Sequence, residues 1–579
     1  MKTPSVPTLL RPFFTPQILF IWGVALWLMI FDNRALLSHL TQLYPLNGGQ
    51  SGLLLSLILF FTIVTALWLL IISHGRSARW LLAFTLFSSA LAGFYMQEFG
   101  IIIDTVMLDN LLQTDHKEAA GLFSWEMLLT VTLVGILPAL WVLFKAPDSY
   151  FVRDKLRIRG LHILLLLVVM VACVWPYSAG YASFIREHKL ARMYANPSFM
   201  HYSLIKWTTQ HLSLPENNTL EQVAQDTQRV EAGKKHELII MVVGETARYD
   251  RFSLNGYHKL TNPRLQQENI VSFQQVSSCG TSTGVSVPCM FSILGRKQYS
   301  AKKAKHMENA LDILKEHNVS VLWRDNNSDS KGVATRMAYE DYQSPARNKV
   351  CDSECRDIGM LVGLDEYIKS HQNQDILIVL HQMGNHGPEY YRRYPKAFEK
   401  FTPVCHSSDL SKCSQVEIDN AYDNAILYTD YFLSEVIQFL KKYDPSHETA
   451  MLYVADHGES LGEHGLYLHA APYMIAPKEQ THVPAILWLG QQFDYSISQV
   501  EPYKDYPLSH DDVFCTLLTA YELKSDTCRS HYSWLIANRE VRATLKLPPL
   551  PVLPTAAPTA PAVVSRDHHR ANKNTMRNA

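Results

Sequence analysis

The chain has 579 residues and a formal net charge of -1, so it has room for more than one domain and lacks the excess of basic residues that nucleic-acid-binding proteins show. Eight of its nine cysteines fall in local pairs, and the ninth, Cys173, lies in an apolar run that favours simple packing. The pairs favour disulfides in an oxidising compartment over a structural zinc site, because even the tightest pair, CDSEC, is not a CxxC motif. The expected disulfides are Cys279–Cys289, Cys351–Cys355, Cys405–Cys413 and Cys515–Cys528.

Five apolar runs near the amino terminus predict membrane-spanning helices, each of which needs about 20 mostly apolar residues. The runs are residues 13–31, 51–73, 80–103, 122–144 and 161–184. Short polar loops separate them, which argues against buried core helices. Further spans follow the first, which argues against a cleaved signal peptide. Residues 1–184 are therefore expected to form an α-helical transmembrane domain of five spans.

Basic residues are concentrated in alternate loops, and this distribution predicts the orientation of the spans. The residues are Lys2, Arg11, Arg76, Arg79, Arg153, Lys155, Arg157 and Arg159. The amino terminus should lie inside the cell, and an odd number of spans places everything after the fifth span outside. This is also the compartment that the paired cysteines require.

Glu126 is an acidic residue within the fourth apolar run. A carboxylate is costly in lipid, which would indicate a functional role. It is also only five residues after Gly121, so it could instead lie near the membrane surface. The sequence leaves both interpretations open.

The segment after the fifth span is amphipathic rather than continuously apolar. Residues 185–212 mix aromatic and basic side chains, as in helices that lie on a membrane surface, although a plain linker is the alternative. With the polar stretch that follows, residues 185–235 form a bridging region. At the other end, residues 547–579 are rich in Pro and Ala and then basic, which is typical of a disordered tail.

Residues 236–546 are expected to form a soluble α/β domain with a mainly parallel sheet. Short apolar, β-branched runs alternate there with helical stretches, the pattern of buried parallel strands. The predicted strands are residues 237–243, 319–324, 376–381, 450–455 and 483–489. In such sheets the functional site forms beyond the carboxyl ends of the strands.

Acidic and imidazole side chains follow three of these strands. Glu245 follows the first, and Asp456 and His457 follow the fourth. Two carboxylates and an imidazole are suitable ligands for a divalent transition metal such as zinc. Singly, an acid after a strand is as often a helix cap, and a histidine is usually an ordinary polar residue. Other histidines near strand ends are His381, His386, His464 and His469.

The stretch SCGTSTGVSVPCMF, residues 278–291, offers a hydroxyl to such a metal. Thr281, Ser282 and Thr283 lie between Cys279 and Cys289, and the stretch leads into a predicted helix whose first N–H groups could bind a phosphate. A metal-bound hydroxyl oxygen is activated because the metal lowers its pKa. An ordinary disulfide-stapled turn is the alternative, and these residues alone leave it open.

Together, the motifs GETAR, SCGTSTGVSVPCMFS, WRDNNSDSKG, HQMGNHGP and ADHGESLGEHGLYLH resemble those of the lipid A phosphoethanolamine transferases, relatives of the mobile colistin-resistance enzymes. The resemblance extends from the membrane spans through the α/β domain. It implies an alkaline-phosphatase-like and sulfatase-like catalytic domain. By motif, it implies zinc ligands Glu245, Thr283, Asp456 and His457, with Thr283 rather than Thr281 as the nucleophile. The implied substrate-binding residues are Asn327, Lys331, His386 and His469, with His386 preferred to His381.

The family reaction fits these groups. Thr283 would attack phosphatidylethanolamine, release diacylglycerol and carry phosphoethanolamine until a lipid A phosphate accepts it. The resemblance implies a monomeric enzyme of the bacterial inner membrane with a periplasmic catalytic domain, and one zinc ion with the existence of a second left open. The added ammonium group would lower the negative charge of the envelope and weaken polymyxin binding.

Other activities share this fold and metal. A membrane-anchored sulfatase would need a C/S-x-P-x-R motif, which is not found near Thr283. A phosphodiesterase would pass the intermediate to water, and a glycerophosphate transferase would use another donor. A sugar of the lipopolysaccharide core could replace lipid A as the acceptor. A non-enzymatic membrane sensor would not need the set of Glu245, Thr283, Asp456 and His457.

Overall fold

The structure is a computed structural model that describes residues 16–73, 75, 77–113, 122–145, 156–212, 220–230, 235–530 and 533–535. Several residues used above to predict the orientation of the spans lie outside these ranges: Lys2, Arg11, Arg76, Arg153 and Lys155. The predicted tail, residues 547–579, also lies outside them.

The amino-terminal region is a bundle of apolar helices. Its helices are Pro16–Trp27, Arg34–Leu43, Ser51–Ile72, Ala78–Phe99, Thr105–Gln113, Trp125–Thr130, Leu137–Lys145 and Leu156–Val174, with π-helical segments at Leu28–Asp32 and Val131–Ile136. Four continuous helical stretches are long and apolar enough to cross a membrane: Ser51–Ile72, Ala78–Phe99, Trp125–Lys145 and Arg159–Tyr177. The first predicted span corresponds to a bent pair, in which Ile18–Asp32 meets Arg34–Leu43 at 69°. The described residues therefore provide four spans, or five if the bent pair is one span.

Two predicted spans end earlier than the apolar pattern suggested. The third helix ends at Phe99 instead of residue 103, because Gly100 adopts a left-handed conformation with φ of 68°. The fifth becomes a 3-10 turn at Trp175–Tyr177, which contains Pro176, instead of continuing to residue 184. Apolar composition predicted that these helices exist, and the local Gly and Pro residues determine where they end.

The bridging region is helical, as the amphipathic pattern predicted up to residue 212. Its helices are Ser178–Glu187, Lys189–Met193 and Ser198–Leu212. Buried Asn196 attaches them to the bundle: its Nδ2 donates to the carbonyl oxygens of Asp32 (3.2 Å) and Ser89 (2.7 Å). The Trp207 indole also donates to Asp109 Oδ1 at 2.6 Å, which joins Ser198–Leu212 to the helix Thr105–Gln113.

The α/β domain is built on one seven-stranded sheet. In chain order its strands are β1 Glu237–Gly244, β2 Ile270–Phe273, β3 Val319–Asp325, β4 Ala338–Asp341, β5 Asp375–His381, β6 Glu448–Ala455 and β7 Ala485–Leu489. Their order across the sheet is β2-β7-β6-β1-β5-β3-β4. Strands β1, β3, β4, β5 and β6 are parallel, whereas β7 is antiparallel to both of its neighbours. The prediction of a mainly parallel sheet is confirmed, and the last predicted strand runs in the opposite direction.

Helices cover the sheet, and short strand pairs complete the domain. The helices are Thr283–Met290, Gly295–Gln298, Ala301–Lys305, Ala310–Glu316, Leu364–Ser370, Gln415–Lys441, Lys478–Thr481, Ile497–Val500 and Val513–Ala520. The paired short strands are Gln228–Arg229 with Leu523–Lys524, Gln275–Ser277 with Pro507–Ser509, and Ser460–Leu461 with Tyr467–Leu468. The longest helix, Gln415–Lys441, begins with a capping box between Ser414 and Glu417 and buries one face against the core.

All four expected disulfides are present. Their Cα–Cα distances are 6.2 Å for Cys279–Cys289, 3.9 Å for Cys351–Cys355, 5.6 Å for Cys405–Cys413 and 5.6 Å for Cys515–Cys528. Cys173 is a free cysteine in the helix Leu156–Val174, as its apolar surroundings suggested. The pairing by sequence proximity is therefore also the pairing in three dimensions.

The bundle and the α/β domain are in direct contact. A Cβ atom added to Gly100 would lie 2.5 Å from the carbonyl oxygen of Gly465, so the two backbones meet without room for a side chain. Glu126 lies in the first turn of the helix at Trp125 and forms an ion pair of 3.0 Å with Lys412 of the α/β domain. This ion pair with a residue of the α/β domain lies where the bundle meets that domain, which favours the interpretation near the membrane surface over one in mid-span.

Candidate active site

Adjacent parallel strands bring the predicted acidic residues together. Strand β1 lies between β5 and β6, and its Gly244 is in register with Ala455 at the end of β6. Glu245 and Asp456 therefore leave the sheet side by side. Both are buried, as is His457. Suitable ligand atoms of these three residues all lie within 4.8 Å of one another, so the sheet assembles a candidate metal centre.

Glu245 is held by its neighbours on both carboxylate oxygens. The Thr246 hydroxyl donates to Oε1 at 2.5 Å, and the Asn327 amide donates to Oε2 at 2.7 Å. Thr246 has a φ of 56°, an uncommon conformation for a β-branched residue and one often found at functional sites. Gly384 also has positive φ, and a side chain there would contact the Glu245 backbone. The carboxylate orientation is therefore fixed by surrounding structure.

Asp456 and His457 each direct one atom into the cluster. Asp456 Oδ1 accepts backbone N–H groups from Thr246 (3.0 Å) and His457 (2.7 Å), while buried Oδ2 has no hydrogen-bond partner among the described residues. His457 Nδ1 donates to the Gly458 carbonyl at 2.9 Å, which leaves the lone pair on Nε2. That Nε2 lies 3.4 Å from Glu245 Oε1 and 3.3 Å from Asp456 Oδ2.

Thr283 is the hydroxyl that faces this cluster. Its Oγ1 lies 3.1 and 3.2 Å from the two oxygens of Glu245 and 3.3 Å from His457 Nε2. The Thr281 hydroxyl instead donates to the Ala471 carbonyl at 2.7 Å. Thr283 is also the first residue of the helix Thr283–Met290, so the first N–H groups of that helix lack intrahelical acceptors. The hydroxyl therefore lies at a helix start, a position whose N–H groups can bind a phosphate.

The charges of the cluster fit a divalent cation. Burial, together with the neighbouring Glu245 carboxylate, raises the pKa of Asp456 well above its ordinary value. Burial and the nearby His469 lower the pKa of His457 to about 3, which keeps its imidazole neutral. Two buried carboxylates that repel each other, one unpaired carboxylate oxygen and a neutral imidazole are the donor set that zinc binds.

Two further histidines border the cluster. The His469 ring lies 4.4 Å from the His457 ring and 5.4 Å from the His386 ring, measured between centroids. His469 Nδ1 bonds to Glu459 Oε2 at 2.8 Å, and Tyr390 donates to the other oxygen of Glu459 at 2.7 Å. The sequence predictions included the histidines and missed this carboxylate. Its signal was its place in the motif DHGES, three residues after Asp456.

Other predicted site residues differ in how closely they approach the cluster. Asn327 contacts Glu245 directly, as described above. Lys331 Nζ instead lies 3.5 Å from the Ser328 carbonyl and 4.0 Å from Asp329, within its own loop. His381 is fully buried and bonds to Asp325 at 2.9 Å, whereas the His386 and His469 rings face each other. The side chain of His464 lies outside the described parts of the chain.

A buried histidine far along the chain supports the cluster. His510 accepts the backbone N–H of Cys279 on Nδ1 (3.1 Å), and its Nε2 donates to the Ala455 carbonyl (3.0 Å). It thereby joins the threonine loop to the end of β6, immediately before Asp456. No motif signalled this role, because the contact depends on how the fold returns the carboxyl-terminal segment to the site.

Comparisons with known proteins match this arrangement. Residues 237–523 match the Sulfatase family, and residues 60–212 match the family described as phosphoethanolamine transferase EptA/EptB. The fold and cluster thus define a sulfatase-type catalytic domain carried by a membrane domain. Among curated proteins, the phosphatidylethanolamine transferase Mcr-1 of Escherichia coli is 38% identical over 89% of this chain and 96% of its own length. The phosphoethanolamine transferase EptA of Salmonella typhimurium strain LT2 is 36% identical over 86% and 94%, respectively.

A solved structure covers both parts of the chain. The integral membrane protein lipooligosaccharide phosphoethanolamine transferase A from Neisseria meningitidis aligns over 88% of this chain and 96% of its own, with 33% identity and a TM-score of 0.80. The chain belongs to the family of phosphoethanolamine transferases, and it is an enzyme of that class with a multi-pass membrane domain. The resemblance found in the sequence motifs is confirmed.

Proposed function

We propose that this enzyme transfers phosphoethanolamine from phosphatidylethanolamine to a phosphate of lipid A through an intermediate on Thr283. The observation that carries the proposal is the position of Thr283 Oγ1, 3.1 to 3.3 Å from Glu245 and His457. Membership of the transferase family supports phosphoethanolamine as the group that is transferred. The relatives carry names of phosphoethanolamine or phosphatidylethanolamine transferases, and the acceptor is assigned here to lipid A by the resemblance of the motifs.

Zinc is the proposed cofactor, and Glu245, Asp456, His457 and Thr283 are its proposed ligands. The orphaned Asp456 Oδ2 and the lone pair of His457 Nε2 support this assignment, since both would be costly to bury without a partner. Zinc bound there lowers the pKa of a coordinated hydroxyl and polarises a phosphoryl oxygen. The N–H groups at the start of Thr283–Met290 bind the phosphate oxygens from the other side.

The reaction proceeds in two displacements at phosphorus. In the first, a bond forms between Thr283 Oγ1 and phosphorus, the hydroxyl proton passes to His386 or His469, and the bond from phosphorus to the diacylglycerol oxygen breaks. The diacylglycerol oxygen takes up a proton as it leaves. In the second, an oxygen of the lipid A phosphate attacks phosphorus, and the bond to Thr283 breaks. His386 and His469 are the proposed proton carriers and phosphate partners, since imidazole can accept and donate near neutral pH.

Asn327 and Lys331 complete the proposed substrate pocket. Asn327 acts through its hydrogen bond to Glu245, which leaves its carbonyl oxygen for the Ser328 N–H and the pocket. Lys331 has a side chain only 6% exposed and a φ of 49°. We propose that its ammonium turns from its own loop towards the phosphate when the donor binds, as a point charge rather than a bidentate partner.

The membrane domain holds the reaction at the bilayer, where both substrates are lipids. We propose that residues 1–184 span the bacterial inner membrane with the amino terminus in the cytoplasm, and that 185–235 bridge to a periplasmic catalytic domain over 236–546. The enzyme acts as a monomer. An ammonium group added to lipid A lowers the negative charge of the envelope, so cationic polymyxins bind less tightly.

The first experiment tests the intermediate. Purified full-length protein is incubated with phosphatidylethanolamine, and the modified peptide is identified by mass spectrometry. We expect phosphoethanolamine on Thr283 and its discharge when lipid A is added. Thr281→Ala is the matched control, because Thr281 lies in the same loop and its hydroxyl bonds elsewhere; it should still load, whereas Thr283→Ala should not. Release of free phosphoethanolamine at equal rates with and without lipid A would identify a hydrolase instead.

The second experiment tests the metal. Exhaustive chelation should abolish loading of Thr283, and zinc should restore it. Asp456→Asn should lower zinc affinity and loading together, because it removes the charge of the unpartnered oxygen while keeping the side-chain volume. Metal content measured by elemental analysis gives a readout independent of activity. Full loading by the chelated, metal-free protein would contradict the assignment of zinc.

A further inference from the structure

A strongly basic segment follows the nucleophile helix. Residues 295–307, GRKQYSAKKAKHM, contain five Lys or Arg side chains and no Asp or Glu, in a chain whose formal net charge is -1. The five are Arg296, Lys297, Lys302, Lys303 and Lys305, and all are exposed. Among the described residues, no carboxylate lies within ion-pair distance of Lys297, Lys303 or Lys305. This density of cations is a local feature, because acidic residues balance basic ones over the chain as a whole.

The segment lies close to the reaction centre. It begins five residues after the helix Thr283–Met290, and that eight-residue helix is about 12 Å long. The helix Ala301–Lys305 also packs back against Thr283–Met290. The cations are therefore carried next to the element that presents the nucleophile, and not on a remote face of the domain.

The same segment borders the membrane domain. Thr105–Gln113, which follows the end of the span Ala78–Phe99, packs against both the bridging helix Ser198–Leu212 and the nucleophile helix. The charge of Asp109 on that helix reaches Tyr299, within the basic segment, where burial and this carboxylate raise the pKa of the phenol. A helix that leaves a membrane span and contacts this domain places the basic segment at the level of the lipid head groups.

Apolar side chains on the membrane side complete the surface. Leu111 and Leu112, at the end of Thr105–Gln113, are 66% and 68% exposed, and Ile205 on the bridging helix is 52% exposed. These apolar side chains lie on helices at the border with the domain that carries the exposed lysines, and such a combination is found where a protein contacts acyl chains and anionic head groups together. The two proposed substrates differ in charge: phosphatidylethanolamine has no net charge, whereas lipid A carries phosphate groups that are anionic.

We propose that the basic segment 295–307 is the docking surface for the phosphate groups of the acceptor lipid A. The inference rests on the proposed function and adds to it a site of acceptor selection separate from the metal cluster. The zwitterionic donor gains little from the lysines and binds through the pocket at Thr283. The acceptor is attracted by its phosphates to the segment, which holds a second phosphate while the reacting one reaches Thr283.

The test separates loading from discharge. Full-length protein is reconstituted in phosphatidylethanolamine vesicles with increasing mole fractions of lipid A at about 0.1 M salt. The triple variant Lys297→Gln, Lys303→Gln, Lys305→Gln should load Thr283 at the wild-type rate. Its discharge should require about tenfold more lipid A than discharge of the wild-type protein. When the salt concentration is varied, the discharge rate of the variant should also change less steeply than that of the wild type. A variant with Lys349, Lys369 and Lys442 changed to Gln is the control, because these lysines are exposed but lie elsewhere in the domain.

Three further arms complete the test, one as a folding control and two to define the partner. Exchange of the three lysines for arginine should preserve discharge, which would exclude a folding defect as the cause of the loss. Lipid A lacking one phosphate should discharge wild-type protein less efficiently, and the triple Gln variant should no longer distinguish it from lipid A with all its phosphates. Phosphatidylglycerol added at equal charge should compete only weakly.

Three outcomes would overturn the proposal. The first is an unchanged lipid A dependence in the triple Gln variant. The second is a parallel loss of loading and discharge, which would indicate a general role in membrane contact. The third is competition by phosphatidylglycerol as strong as lipid A binding itself, which would indicate an unselective anionic-lipid surface. Failure of the wild-type intermediate to discharge to lipid A at all would instead contradict the proposed function, so the two failures are distinguishable.

Discussion

Two carboxylate–histidine pairs in the α/β domain have the same geometry and different surroundings. In one, Asp325 Oδ2 lies 2.9 Å from His381 Nδ1; in the other, Glu459 Oε2 lies 2.8 Å from His469 Nδ1. Both side chains of the first pair are fully buried, whereas 14% of the His469 side chain is exposed. The His381 ring packs on Trp323, and the His469 ring packs on His457 of the candidate metal centre.

The difference shows that a hydrogen bond between a carboxylate and a histidine does not by itself decide whether the pair is structural or takes part in catalysis. A carboxylate bonded to Nδ1 fixes the ring orientation and tautomer in both cases. What differs is the environment of Nε2, the atom that could exchange a proton with a substrate. His381 Nε2 is buried and has no partner among the described residues, so this pair stabilises the loop at the end of β3. The His469 pair faces the cluster and can take part in chemistry.

Among the residues of the two pairs, replacement of His469 should give the largest effect on activity. His469→Ala removes the proposed proton carrier, and we expect transfer to slow by about 10² to 10⁴-fold. The thermal unfolding midpoint should change by no more than about 2 °C, because the side chain is at the edge of the core. Steady-state transfer and a thermal shift on the same preparation measure both. A loss of stability in proportion to the loss of activity would remove the distinction between the two pairs.

Replacement of Asp325 should give the largest effect on stability. Asp325→Ala leaves His381 and the Trp323 indole buried without their hydrogen-bond acceptor, at a cost of about 3 to 5 kcal/mol. We expect the thermal unfolding midpoint to fall by roughly 5 to 10 °C. The unfolding midpoint of the milder variant Asp325→Asn should lie between those of Asp325→Ala and the wild type, since asparagine retains the side-chain volume. An unchanged midpoint in Asp325→Ala would contradict a structural role for the buried pair.

A smaller effect is expected from Glu459. Glu459→Gln keeps the volume and a hydrogen-bond acceptor but removes the charge next to His469, and outer partners of this kind are worth about tenfold or more in rate. Tyr390→Phe, which removes only the hydrogen bond to the other oxygen of Glu459, should reduce the rate less. Transfer rates of the two variants, measured at equal zinc occupancy, show which substitution reduces the rate more. A rate for Tyr390→Phe below that for Glu459→Gln would show that the tyrosine acts on its own.

The smallest effect concerns pH and a third buried histidine, His510, which bonds only to backbone groups. Burial lowers the pKa of His510 to about 4, whereas the Asp325 carboxylate outweighs burial and raises the pKa of His381. Because folding depresses the pKa of His510 below its ordinary 6.5, the folded state binds fewer protons and stability is lost as pH falls through this range. His381 has the opposite sign: its contribution is present at low pH and is lost as pH rises through its raised pKa.

The pH prediction is a difference between wild type and His510→Asn. From pH 7.5 to pH 6 the wild type should lose about 1 kcal/mol through this group, a loss that the variant should not show. Thermal unfolding in detergent at saturating zinc measures it. Equal pH dependence in the two proteins would contradict the neutral, backbone-bonded state of His510.

The sequence predicted the parts of the site whose signal is local. Glu245 and Asp456 follow long apolar runs that could only be central strands, and parallel neighbours necessarily bring their ends together. The edge strands β2 and β4 were missed because each has four residues, and AYED in β4 has no apolar run. His510 was missed for another reason, because its contacts join segments through the tertiary fold and leave no spacing in the chain. Glu459 lies within the motif DHGES, and only the fold shows that it bonds to His469.

The choice between the two threonines shows a similar limit. Three neighbouring hydroxyls in one loop are chemically equivalent in the sequence, and the motif resemblance alone favoured Thr283. The structure adds a geometric difference between the two: the Thr281 hydroxyl bonds to the Ala471 carbonyl, whereas Thr283 begins the helix and its hydroxyl faces Glu245. The orientation depends on the loop that carries His469, which contacts the threonine loop through the Ala470 N–H and the Thr281 carbonyl at 2.7 Å.

The contact between Gly100 and Gly465 has a consequence for how the enzyme meets its substrates. At this point the backbone of the catalytic domain rests directly against the end of the span Ala78–Phe99, with no side chain between them. Under the proposed function, the two lipids would reach a site at this height by lateral diffusion in the bilayer, a search in two dimensions. Turnover would then follow the surface density of donor and acceptor in the leaflet rather than the bulk amount of either lipid.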